Sequence, residues 1–154
     1  MRAVKALALL AAVALLGAAP DPKADGAYFT GTWKCGQDVV WTFAPLVDGG
    51  DWIRITYGDP QHPEGIAAMG FVTGLKAWVY RDFHTDGSYA DLTSPAPADG
   101  RWIWSGPYYP AGAGQPLAGR ITYTEVTATR YDRTFEMLKD GTYHAMGGDS
   151  CLKT

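Results

Sequence analysis

The sequence predicts an all-β protein, an antiparallel up-and-down barrel of eight to ten strands. Three observations carry that prediction. Asp-Gly occurs five times, at Asp25-Gly26, Asp48-Gly49, Asp86-Gly87, Asp99-Gly100 and Asp140-Gly141. The pair supplies the positive φ angles that tight hairpins require. Most of these turns adjoin short runs rich in Trp, Tyr, Phe, Ile and Thr, several of which alternate with the period of two expected of half-buried strands. Finally, the only two cysteines, Cys35 and Cys151, fall near the two ends of the predicted domain.

Residues 1–19 stand apart from that pattern. Arg2 and Lys5 make a short positive region, Ala6 to Leu16 is an unbroken apolar run, and Gly17, Ala18 and Ala19 are small. This is the anatomy of a secretory signal peptide, and the run is too short to span a bilayer as a helix. Residues 20–26 read as a flexible lead-in, and residues 27–154 as a single barrel domain. The expected location is periplasmic or secreted.

The strand candidates are 30–35, 38–43, 51–57, 66–72, 76–83, 87–93, 101–105, 119–127, 130–138 and 141–152. In 76–83, Trp78, Tyr80, Asp82 and the following His84 oppose Ala77, Val79 and Phe83. In 101–105, Trp102 and Trp104 oppose Arg101, Ile103 and Ser105. In 130–138, Tyr131, Phe135 and Met137 oppose Asp132, Thr134 and Glu136. Which face points inward stays open, and Trp102 and Trp104 could lie on either. The connection 94–100 is a Pro-rich turn, whereas 106–119 (GPYYPAGAGQPLAG) reads as a long loop carrying Tyr108 and Tyr109. Loops of that length are usually functional or mobile.

In an exported chain an even cysteine pair reads as a disulfide. A Cys35–Cys151 bond would make the first and last strands neighbours, which is barrel closure. Closing so long a loop stabilises by roughly 4–5 kcal/mol in the chain-entropy treatment. With Cys35 opposite Cys151 on antiparallel strands, Trp33 falls opposite Lys153. An ammonium over that indole would plug the barrel base with a cation–π contact worth about 0.5–2 kcal/mol.

Composition narrows the partners. Removing residues 1–19 takes away Arg2 and Lys5 and no acid, leaving 11 basic against 16 acidic residues, a net charge of −5. The basic residues are scattered, which disfavours nucleic acid and anionic membranes. No asparagine is present, hence no glycosylation sequon. No G-x-S-x-G, H-E-x-x-H, P-loop or dinucleotide fingerprint occurs. No cofactor or metal is expected, and no catalytic residue is assigned. Of the histidines, His62 lies in an exposed Pro60-Gln61-His62-Pro63 turn, whereas His84 is flanked by Asp82 and Asp86, with Asp82 on its own strand face and able to orient the imidazole.

Gly31-Thr32-Trp33 at the first strand carries the G-x-W signature, and here the chain resembles the calycin superfamily of lipocalins and fatty-acid-binding proteins. The resemblance implies a barrel whose Trp33 closes one end against a basic side chain: Lys153, or failing it Arg130 or Arg133. Arg120-Ile121-Thr122-Tyr123-Thr124, Asp132-Arg133-Thr134-Phe135-Glu136-Met137 and Asp140-Gly141 are similar to a bacterial calycin-like family without an assigned activity, as are Gly70-Phe71, Ala77-Trp78-Val79-Tyr80 and Asp86-Gly87-Ser88. That family implies an internal cavity. Nitrobindin-type barrels, a second resemblance, open with G-x-W-x-G-x-G and bind haem through a late histidine. Here Cys35 stands where a glycine belongs, and His144 falls about where the ligand would be.

A barrel of this size has room for one small ligand. The aromatic candidates for lining or covering it are Trp78, Tyr80, Trp102, Trp104, Tyr108, Tyr109, Tyr123 and Phe135. The expected function is therefore binding of a small apolar or amphipathic molecule without catalysis. The alternatives are a filled-core module that meets a protein partner through Tyr108 and Tyr109, and a haem barrel using His144.

Overall fold

The computed structural model describes residues 26–37, 39–59 and 61–154. The signal peptide assigned to 1–19 and the lead-in, apart from Gly26, lie outside these. Ten strands form a closed antiparallel barrel in which each strand pairs with its neighbours in sequence and the first pairs with the last. They are β1 (Gly31–Cys35), β2 (Val39–Pro45), β3 (Ile53–Asp59), β4 (His62–Val72), β5 (Ala77–His84), β6 (Tyr89–Ser94), β7 (Arg101–Tyr109), β8 (Leu117–Thr127), β9 (Arg130–Lys139) and β10 (Thr142–Lys153). Closure removes the free edges that would otherwise invite pairing with other chains.

The Asp-Gly turns work as their chemistry requires. Asp99 and Gly100 both have positive φ, 51° and 67°, as do Asp140 and Gly141, 52° and 77°. Each pair forms a two-residue hairpin connection whose twist suits the flanking strands. Asp86-Gly87 differs: Gly87 alone has positive φ, and across the three-residue loop the His84 N–H donates to the Ser88 carbonyl, while the Gly87 N–H donates to the His84 carbonyl.

The disulfide joins Cys35 to Cys151 across β1 and β10, in the register that also sets Trp33 opposite Lys153. Lys153 Nζ lies 5.1 Å from the centroid of the Trp33 ring and donates to the Tyr28 carbonyl at 3.4 Å. Arg133, the fallback for this role, is elsewhere, over Trp41. Arg130 is on the surface, paired with Asp132.

One end of the barrel is solid. A 3-10 turn, Gly26–Phe29, folds into it immediately before β1. Phe29 is fully buried, and its ring meets those of Phe43, Trp102, Tyr123 and Tyr131. Trp33 donates its indole N–H to the Phe29 carbonyl at 2.7 Å. Tyr28 Oη bonds the carbonyls of Thr127 and Arg130, pinning the turn to the β8–β9 connection. Trp78, Trp102 and Trp104 all point inward here, fully buried and ring against ring. Stacked and edge-on pairs of this kind add about 0.5–1.5 kcal/mol each beyond area burial.

The long loop expected at 106–119 is shorter than that. β7 runs on through Tyr109 and β8 starts at Leu117, leaving 110–116 as the connection. Pro107 hides this in the sequence because proline disrupts a strand ladder. The ladder between β6 and β7 is indeed interrupted there, between the Ala90–Tyr108 and Thr93–Ser105 pairs. Gly106 permits the approach of the two strands: a Cβ on it would lie 2.2 Å from the Asp91 carbonyl oxygen.

Candidate functional site

The opposite end of the barrel is hollow. A cavity of about 270 Å³ opens where β1, β3, β5, β7 and β9 end. Its wall has two kinds of surface. Val39, Ala90, Leu92, Ile121, Phe135 and the Tyr108 ring make it apolar on most sides, while Tyr57, Tyr80, Asp82, His84, Glu64 and Arg133 bring polar groups to it. This combination is usual for small-molecule sites.

The polar groups form two self-contained clusters. In the first, Asp82 on β5 is only 5% exposed. Tyr57 Oη donates to its Oδ1 at 2.7 Å and Tyr80 Oη to its Oδ2 at 3.3 Å. His84 Nε2 lies 3.3 Å from Asp82 Oδ2, and Nδ1 lies 3.0 Å from Tyr57 Oη. The hydrogen bond with Asp82 raises the imidazole pKa above its ordinary 6.5, against the effect of burial. In the protonated ring both nitrogens donate, one to the phenol oxygen and one to the carboxylate. Burial and the Asp82 charge push the Tyr57 and Tyr80 hydroxyls well above the ordinary phenol range, so both stay neutral donors. Burial likewise pushes Tyr123 up to about 12.

Tyr57 reaches Asp82 because β4 offers a glycine beneath it. A Cβ on Gly65 would lie 2.2 Å from Tyr57 Oη. Asp82 and His84 share a face of β5 by the period-two rule, and that face is the inward one.

The second cluster is built on Arg133 of β9. Its guanidinium carbon lies 4.4 Å from the centroid of the Trp41 ring. Trp41 in turn stacks on Tyr57, with centroids 4.3 Å apart and planes 13° apart. The Arg133 charge is met by Asp149 of β10 through an ion pair with Nη2. Trp41 Nε1 is buried without a hydrogen-bond partner in the protein.

The expected site residues divide. Tyr80, Tyr108 and Phe135 border the cavity. Trp78, Trp102, Trp104 and Tyr123 do not; they face inward lower down and fill the base with Phe29. Tyr109 is a correction: one residue beyond Tyr108 the pleat turns its ring outward, where it stacks on Tyr89 at 5.7 Å. His144 is exposed on β10 and does not border the cavity, so it is not placed to ligate a haem held there. Among the described residues no group of three or more His, Cys, Asp and Glu side chains is placed to hold a metal ion. Trp41, Tyr57 and Glu64 carry no signal in the sequence. Asp82 and His84 do, through their spacing, and Arg133 does as a candidate cation for an indole, though the indole is Trp41 rather than Trp33.

No protein-family model matches the chain, and no curated protein matches it.

Proposed function

We propose that this protein is an exported, calycin-like barrel that binds a small amphipathic molecule without transforming it. The observation that carries the reading is the asymmetry of the barrel interior, solid with aromatic rings at one end and hollow at the other. A cavity of about 270 Å³ has the volume of roughly nine liquid waters, which suits a ligand on the order of ten non-hydrogen atoms. Its apolar part would lie against Ile121, Phe135 and Leu92, and its polar end toward Tyr57, Asp82 and His84.

Binding accounts for the polar cluster better than turnover does. The two tyrosines and His84 are engaged with one carboxylate and with each other. Such a network holds donors and acceptors in fixed positions, and that rigidity serves recognition. Export is supported by the leader-like sequence of residues 1–19 and by the disulfide, since such bonds persist in oxidising compartments.

Native mass spectrometry of the unreduced protein, purified from the compartment it occupies, tests the reading. The expected result is a small adduct that leaves on denaturation and is missing from Ala90→Phe, whose new ring would occupy the cavity. An adduct carried equally by Ala90→Phe would contradict it.

A further inference from the structure

The charges at the cavity are already balanced. Asp82 is buried, and its carboxylate faces the His84 imidazole at 3.3 Å. Arg133 is set against Asp149. The remaining ionisable groups on the wall are the phenols of Tyr57, Tyr80 and Tyr108, and Glu64, which is exposed at the rim and screened by water. The interior thus presents two neutralised pairs and no unmatched ion. It also presents hydrogen-bonding atoms: the Tyr80 hydroxyl oxygen, the Tyr57 hydroxyl oxygen, which donates to Asp82, accepts from His84 and keeps one lone pair, and the remaining N–H groups of the paired Arg133.

A ligand that brought its own charge into this space would shed its hydration and find no counter-ion. A carboxylate would have to compete with Asp149 for Arg133 and would lie near Asp82. An ammonium would have to displace the His84 imidazolium from Asp82. Either exchange breaks a formed ion pair and strips the incoming ion of its hydration, while the displaced Asp149 or His84 side chain, about a third exposed, regains only part of its own. A hydroxyl, phenol or carbonyl head incurs no such cost.

From these pairings we propose that the cavity selects molecules with an uncharged hydrogen-bonding head on a compact apolar body, and that the His84–Asp82 and Arg133–Asp149 pairs are what exclude carboxylates and amines. This rests on the binding reading above and narrows it to one chemical class. Charge exclusion is then set by residues that need not touch the ligand, since each pair satisfies itself.

Titration calorimetry at pH 6 with three ligands of one shape tests it: 1-naphthol, 1-naphthoate and 1-naphthylmethylammonium. The expected order is 1-naphthol tighter than either ion by roughly a hundredfold or more. His84→Gln, a change at a half-buried strand end, removes the cation that Asp82 now faces. It should raise the affinity for 1-naphthylmethylammonium relative to that for 1-naphthol by about tenfold or more. Binding of either ion to the unaltered protein as tightly as 1-naphthol overturns the inference and leaves the cavity reading standing. So does an unchanged ammonium affinity relative to 1-naphthol in His84→Gln. If none of the three binds, the cavity reading falls and this inference falls with it.

Discussion

Replacing Phe29 by alanine tests whether the 3-10 turn is part of the barrel core or only rests against it. The side chain is fully buried. Its ring meets Phe43, Trp102, Tyr123 and Tyr131 at centroid distances of 5.3–5.6 Å. Truncating a buried phenylalanine costs about 3–5 kcal/mol, from lost transfer free energy and from the void left behind. Relaxation into that void is limited here, because the surrounding rings belong to strands of a closed barrel tied by a disulfide. The expected loss is therefore in the upper half of the range, about 4 kcal/mol or more. The assay is urea unfolding with the disulfide intact, followed by tryptophan emission. With a slope of about 2 kcal/mol per molar, the midpoint should fall by about 2 M and the slope should not change. Phe29 does not border the cavity, so ligand binding by the folded variant should persist. A loss below about 1 kcal/mol would refute the reasoning, since it would mean that the barrel end is closed without the turn.

Three further outcomes are expected. Cys35→Ser with Cys151→Ser, which opens a connection of 116 residues, should lower stability by about 5 kcal/mol in the same assay; a change under about 1 kcal/mol would show that closure rests on the strand ladder alone. Gly65→Ala forces a methyl group against Tyr57 Oη and should break its bond to Asp82, costing about 1–3 kcal/mol and weakening ligand binding; unchanged affinity would separate Tyr57 from the site. Asp82→Asn removes the group that most raises the His84 pKa and leaves burial, which lowers it, opposed only by Asp86 and Glu64, so an NMR titration should find the imidazole pKa lower than in the unaltered protein. The raised value also sets a pH dependence of stability. His84 contributes fully below about 6.5, and that contribution is lost as pH rises through its folded pKa. Asp82→Asn should weaken this decline.

Much of the barrel is legible in the sequence because it rests on local rules. Aromatic and β-branched alternation marks all ten strands to within two residues at each end, except that β7 runs four residues further, past Pro107, and β4 starts four residues earlier than the run suggests. The Trp33–Lys153 register follows from the cysteines by counting. The site is less legible, and for a physical reason. Inward-facing residues on different strands look alike until the depth of each along the barrel axis is known. Trp102 and Tyr80 both point inward, yet Trp102 fills the base and Tyr80 borders the cavity. That difference comes from strand stagger and from the 3-10 turn, whose Phe29 occupies one end only. A four-residue turn next to a flexible-looking lead-in has no periodicity to reveal it. Tyr57 is hidden likewise, because its role depends on a missing Cβ at Gly65, the residue facing it across the β3–β4 ladder.

The most direct test of a binding barrel is a crystal structure of the mature protein soaked with 1-naphthol. The account predicts one molecule in the cavity, its ring against Phe135 and Ile121 and its hydroxyl within hydrogen-bond distance of Tyr57 or Tyr80. A cavity closed by collapsed side chains, with the molecule bound elsewhere or nowhere, would contradict it.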